Sequence, residues 1–357
     1  MASIAKRPDG QWRARYRDQS GKEHSRHFPR KVDAQRWIDE TTAGIVTGQY
    51  IDPKSSKVTL AQYAGEWEAS HVGRDGTARI VDNALRLHIL PALGSRPLQS
   101  VLRSDIQALV KAMSESYAPG SVRNIYDVLS KVFGSAVDDR VVASSPCRRI
   151  VLPAVDDSEV TIPTTDEVAA PHDAFNPRYR SAVVLLAGSG VRVGEMPGLD
   201  VQLLDFLRKT VRVERQRLQN GKIGPTKTTK SVRAIPVGQT VLDHAAAHLA
   251  EFPTDGPLFT ARGGQPLSYG GWKYAWQRAQ TKTGLALDTH DLRHFYASGL
   301  ISGGASVKQV QVVLGHASPV VTLRVYSHLW PGDEDRVRAI SDGTLSFLRT
   351  DRGLEAV

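Results

Sequence analysis

Five short runs in the C-terminal half of this 357-residue chain carry side chains suited to chemistry on a phosphodiester. They are Gly190-Val191-Arg192-Val193-Gly194-Glu195, Pro225-Thr226-Lys227-Thr228, His290-Asp291-Leu292-Arg293-His294, Leu314-Gly315-His316 and Val325-Tyr326-Ser327-His328. Breaking such a bond and resealing it without ATP requires its energy to be kept in a covalent enzyme intermediate, which a tyrosine hydroxyl can form. With an ordinary pKa of about 10, that hydroxyl needs cationic surroundings and a proton acceptor. The planar guanidinium forks of Arg192 and Arg293 can grip both nonbridging oxygens and offset the charge of a pentavalent transition state. Where no metal assists, the departing 5′ oxygen needs a proton; Lys227, on a polar strand-to-strand loop shared with Lys222 and Lys230, is the choice of donor. Three steps from His290 to Arg293 put both on one side of a helix.

Taken singly, none of these residues is diagnostic. One tyrosine among ten is most often a half-buried aromatic, and Arg192 alone reads as a surface or ion-paired residue, with Glu195 structural beside it. His290 alone could cap a helix, and His294 and His328 read as structural or as phosphate neighbours. Other chemistries lack their residues. No Gly-x-x-x-x-Gly-Lys-Ser/Thr loop, His-Glu-x-x-His or Gly-x-Ser-x-Gly occurs, and Cys147 is the only cysteine, so no disulfide framework or cysteine-rich zinc site is expected. No cofactor and no metal are expected.

The elements that must position these residues fall into distinct stretches. Positions 11–17 alternate, with Trp12, Ala14 and Tyr16 on one face and Arg13, Arg15 and Arg17 on the other, which is the period of a strand. A turn and a returning strand over 23–28 follow, then a helix over 31–46 with Val32, Trp37 and Ile38 on one side and Gly48 closing it. Twelve Lys/Arg against seven Asp/Glu give residues 1–57 a net +5 of the chain's +9, the footprint of a nucleic-acid grip or of a solvated face. After a linker at 51–58 come four helices: one capped by Thr59, a second over 77–89 stopping at Pro91, a third from Ser104 and a fourth capped by Ser121. Positions 144–163, with three prolines and Asp156, Asp157 and Glu159, form a second linker. Beyond it the pattern is mixed: a Thr164-x-x-Glu167 capping box on a helix cut short by Pro171, an apolar helix over 178–187, strands over 210–217 and 233–237, and helices from Gly271 onward. Trp272, Tyr274 and Trp276 read as core or DNA-backbone contacts. The start lacks an apolar signal segment, and no run approaches the roughly 18 apolar residues of a spanning helix, so a reducing, cytoplasmic setting is expected.

The order and spacing of the five runs, with ten positions from His316 to Tyr326, resemble the tyrosine site-specific recombinases, especially integrases of temperate phages and integrative elements. The resemblance covers nearly the whole chain. It implies a small three-stranded sheet plus helix as an arm-type DNA-binding head (1–55), an all-α core-binding bundle (58–153), and a mixed α/β, mainly helical catalytic domain (160–340). A tail (341–357) would pack on a neighbouring protomer through Leu345, Phe347 and Leu348. It implies Tyr326 as nucleophile, forming a 3′ phosphotyrosine and a 5′ hydroxyl. Arg192, Lys227, His290, Arg293 and His316 would complete the catalytic set, His290 as base or phosphate donor and His316 as a second donor. Implied partners are core-type and arm-type sites on double-stranded DNA, a homotetramer, a host DNA-bending protein and an excision factor, in a bacterial host cell. Pro197 departs from the pattern, since proline there would shorten or kink a helix carrying Arg192. Two rivals remain: a DNA-binding regulator without the reaction, and a type IB topoisomerase relaxing supercoils as a monomer.

The basic head makes a first prediction. Affinity for duplex DNA falls steeply as salt rises, because phosphate contacts release counterions; a titration showing the same affinity at low and high salt would contradict the grip.

Overall fold

The computed structural model describes residues 2–17, 21–46, 57–73, 75–155, 160–226, 231–330 and 334–348. Lys227, Lys230, Gly48, the turn at 18–20, most of the first linker and residues 349–357 lie outside them. The chain forms two compact units, Met1–Asp157 and Ser158–Val357.

In the first unit, β1 (Ser3–Lys6), β2 (Trp12–Arg17) and β3 (Glu23–Phe28) form an antiparallel sheet in the order β1-β2-β3, covered by α1 (Lys31–Val46). The alternation of β2 is realised: Ala14 and Tyr16 are buried, while Arg13, Arg15 and Arg17 share the opposite face. All three guanidiniums lie 3.6–3.8 Å from Glu23, so one carboxylate partly offsets this cationic face. Val32 is not on the inner side of α1 but exposed. At about 100° per residue the inner stripe is set by Ala34, Trp37 and Ile38, and Val32 lies well off it.

The same unit holds a helical bundle with its own core. Thr59 caps α2 (Leu60–Ser70) through a reciprocal capping box with Gln62. Helix α3 (Asp75–Ala84) passes through a π-turn, Leu85–Ile89, directly into α4 (Leu90–Leu93), so Pro91 does not stop the helix where expected. The Leu90 N–H reaches back to the Leu85 carbonyl, and this wider turn places Pro91 in the first turn of α4, where its missing N–H is tolerated. Helix α5 (Arg103–Ser114) starts one residue before Ser104, with the Leu102 N–H donating to Asp105. Helix α6 (Pro119–Asp138) starts two residues before Ser121, because Pro119 is preorganised for the first helical turn. Its Val122, Ile125, Leu129, Val132, Phe133 and Ala136 are all buried.

The second unit opens with α7 (Thr165–Ala174), capped by the Thr164–Glu167 box; the helix runs through Pro171 rather than ending before it. Helix α8 (Pro177–Ser189) ends at Gly190 in the left-handed conformation, φ +61°. The strand expected over 210–217 divides at Glu214 between two sheets: β4 (Leu204–Asp205) and β5 (Thr210–Val213) belong to one, β6 (Arg215–Arg217) and β7 (Ile223–Pro225) to the other. The first, ordered β4-β5-β8, is completed by β8 (Arg233–Pro236). Six α-helices follow in the described residues: α9 (Gln239–Glu251), α10 (Tyr269–Thr283), α11 (Asp291–Ser302), α12 (Val307–Leu314), α13 (Pro319–Tyr326) and α14 (Glu334–Thr344). Trp272 and Trp276 are core residues packed on Phe175, and Tyr274 is exposed. In α14 and the turn after it, Val337, Ile340, Leu345 and Phe347 are exposed. No helix of the described residues is long and apolar enough to cross a membrane.

Phe133 tests the bundle. Phe133→Ala removes a fully buried ring and should cost the first unit about 3–5 kcal/mol, read as an earlier urea transition of that unit.

Candidate active site

The site is organised by the C-terminal end of α12. The last carbonyls of a helix have no partner within it and carry partial negative charge, so cations are favoured there. Three arginines take the positions. Arg233 Nε donates to the Val313 carbonyl (2.7 Å), Arg293 Nη2 to Leu314 (2.5 Å) and Arg192 Nη2 to Gly315 (2.8 Å). Gly315 ends the helix at φ +64°, a conformation natural to glycine. A Cβ there would also stand 3.1 Å from the Arg233 side chain.

Arg192 lies on the turn after α8. No α-helix follows it: Met196–Gly198 is a single 3-10 turn, in keeping with the effect expected of Pro197. Its position is fixed instead by Glu195, a buried carboxylate that accepts from Arg192 Nη1 (2.8 Å) and from the Arg192 backbone N–H (3.1 Å). The same carboxylate accepts from Arg233 Nη1 (3.2 Å) and Nη2 (3.0 Å). Burial pushes the Glu195 pKa up, but hydrogen bonds and charge from Arg233, then Arg192, hold it below the ordinary carboxylate value. Removing one partner of such a buried pair typically costs about 3–5 kcal/mol.

Helix α11 supplies the next group. The His290 N–H donates to Asp288 Oδ1 (2.8 Å), setting His290 at the helix start, where it faces solvent. Packing and the charge of Arg293 nevertheless pull its pKa below the usual imidazole value. Arg293 is 2% exposed, and its Nη1 donates to the Gly190 carbonyl (2.6 Å). Burial, then Arg192 and Arg233, lower its pKa to about 9, so it stays charged at neutral pH. His294 follows, its ring edge-on to His290 with centroids 4.9 Å apart.

Helix α13 carries the tyrosine at its C-terminal end. Tyr326 is 1% exposed, and its hydroxyl lies 2.8 Å from His294 Nδ1. Burial raises its pKa to about 12, against the opposing charge of Arg293. One turn earlier, the buried Thr322 hydroxyl lies 2.8 Å from His316 Nδ1. Burial, followed by Arg293, Arg192 and Arg233, lowers the His316 pKa to about 3, and burial with His290 and Arg293 lowers that of His294 to about 4.

Five of the six residues singled out in sequence, Arg192, His290, Arg293, His316 and Tyr326, thus lie in one cluster, and Lys227 is outside the described residues. Arg13, Arg15 and Arg17 belong to the first unit. Sequence reasoning missed Arg233, whose signal was an arginine at an inward-facing position of a strand, and did not give His294 its place beside the tyrosine.

The profile described as "Phage integrase family" matches residues 164–331. The integrase of Mycobacterium phage D29 is 29% identical over 342 residues, covering 89% of each chain. A XerC-like tyrosine recombinase of Caldanaerobacter subterraneus subsp. tengcongensis is 24% identical, covering 88% of this chain and 90% of that protein. The fold resembles the Tn1549 transposon integrase in complex with a circular intermediate DNA, with TM-score 0.69 and 21% identity over 80% of this chain and 99% of that one. It also resembles a lambda integrase tetramer bound to a Holliday junction, with TM-score 0.63 and 20% identity over 88% and 96%. Residues 164–331 thus match the phage integrase family, and over most of its length the chain is similar to phage integrases and tyrosine recombinases.

The neutral histidines set a pH dependence. In the fold His294 and His316 bind protons only near pH 4 and 3, whereas in the unfolded chain they do so near the ordinary value of about 6.5. Their contribution to stability is therefore complete above about pH 6.5 and lost as pH falls toward 4 and 3. The melting temperature of the second unit should drop across that window, and less steeply for His316→Gln.

Proposed function

We propose that this chain is a site-specific recombinase that integrates and excises a phage or mobile-element genome through a 3′-phosphotyrosine, without metal or ATP. Arg192 and Arg293 grip the scissile phosphate, and His290 and His316 are its further hydrogen-bonding or proton-transfer partners. Tyr326 attacks the phosphorus, and Lys227 protonates the departing 5′ oxygen. The 5′ hydroxyl of a partner duplex then attacks the phosphotyrosine in reverse and completes the exchange. The observation that carries this reading is the Tyr326 hydroxyl, buried in the same cluster as two arginines and the histidines.

Residues 1–55 bind arm-type sites through the face of Arg13, Arg15 and Arg17, 58–153 grip the core-type site, 160–340 perform the reaction, and the 341–357 tail packs on a neighbouring protomer. Four protomers assemble on two duplexes in the cytoplasm of a bacterial host cell, assisted by a host DNA-bending protein and an excision factor. Support for the assembly comes from the lambda integrase tetramer on a Holliday junction, and for a bacterial setting from the mycobacteriophage integrases.

Covalent trapping tests the reading. Protein and Tyr326→Phe are mixed, in chelator, with nicked duplexes tiled from DNA flanking the gene, then resolved on a denaturing gel. An adduct with the native protein alone is expected. Specific binding without any adduct would favour a regulator, and efficient relaxation of arbitrary plasmids would favour a topoisomerase.

A further inference from the structure

As the Tyr326 oxygen attacks, its proton needs a destination, and the resemblance leaves His290 open between base and phosphate donor. Resting on that reading, we propose that His294 accepts the Tyr326 proton in cleavage and returns it in rejoining. The nucleophile is 1% exposed, so the acceptor must stand at the hydroxyl itself. His294 Nδ1 does, at 2.8 Å, with the two rings inclined at 62°. His316 turns its own Nδ1 to Thr322, and His290 lies at the solvent-facing start of α11. The helix that presents Arg293 to the site therefore presents the base in the adjoining position.

The charged and titratable neighbours of His294 are His290, Arg293, Asp288 and Tyr326 itself. Burial and the first two keep the imidazole neutral at pH 7, so with its proton on Nε2 the Nδ1 lone pair faces the hydroxyl. A phosphodiester arriving beside these cations offsets their charge and makes His294 more basic at the moment the tyrosine reacts.

The step balances. The Tyr326 O–H bond breaks as the Oη–P bond forms, and the proton passes to His294 Nδ1. The electron pair of the P–O5′ bond leaves with the 5′ oxygen, which takes its proton from a different donor, Lys227 in the reading above. In rejoining, the 5′ hydroxyl attacks phosphorus and Oη departs with the proton held on His294.

The test is single-turnover cleavage of a nicked core-site duplex by the native chain, His294→Gln and Tyr326→Phe between about pH 5 and 9. A second duplex carries sulfur in place of the 5′ bridging oxygen, so its leaving group needs no proton. His294→Gln should bind DNA like the native chain yet cleave about 100-fold or more slowly. It should lose the low-pH limb of the rate profile, gain nothing from the sulfur substrate, and rejoin more slowly by the same factor. Cleavage within about fivefold of native, or rescue by sulfur, overturns the assignment. If His294→Gln does not fold, His290→Gln on the sulfur substrate decides: an imidazole-range limb that survives it supports His294 as the base, and a flat profile refutes it. An adduct formed by Tyr326→Phe, or none by the native chain on any duplex, sinks the recombinase reading and this inference with it. Native adduct with full-rate His294→Gln sinks the inference alone.

Discussion

The second unit depends on how one short helix ends. Helix α12 is eight residues long, and its last carbonyls are claimed by Arg233, Arg293 and Arg192 from three other parts of the chain. Because each arginine satisfies an otherwise orphaned carbonyl, fixing the helix end and placing the guanidiniums are one event. Glu195 locks the arrangement by joining Arg192 to Arg233, and Gly315 leaves room for it. The loop that carries His316 leaves from that same end, and α13 then returns Tyr326 to it.

The residues that cluster were legible because the chemistry proposed for them restricts residue type: a phosphate grip would need arginines, and a covalent intermediate a nucleophile. What supports them was less legible. Arg233 shares no local motif with Glu195 and Val313, the site residues it serves, which lie 38 and 80 positions away. His294 looked like an extension of the Arg293 motif, and only the packing of α13 on α11 gives it the tyrosine as partner. Lys227 was chosen by loop and spacing alone.

The elements were legible where one local signal dominated. Alternation in β2, the cap at Thr59 and the capping box at Thr164 led directly to the observed structure. Errors arose where proline was read as a stop, at Pro91 and Pro171, or left out of a helix it opens, at Pro119. Pro91 enters the first turn after a π-turn, Pro119 opens α6, and Pro171 is carried within α7. In each case the flanking backbone meets the geometric demand, which spacing alone does not reveal. The break at Glu214 is likewise tertiary, because β5 and β6 find different partners.

Charge in the cluster has a meaning beyond its role in folding. Three guanidiniums and one buried carboxylate leave a fixed excess of two positive charges, with the lowered histidines neutral. A phosphodiester in the ground state carries a single negative charge and neutralises half of it. The pentavalent arrangement on the way to a new bond carries more, and so matches the cluster better than the DNA does at rest. On the proposed reading, the arginine-bound helix end would thereby favour passage through the strained phosphorus over storage of either strand, as suits a recombinase whose cut and sealed states stay nearly equal in energy.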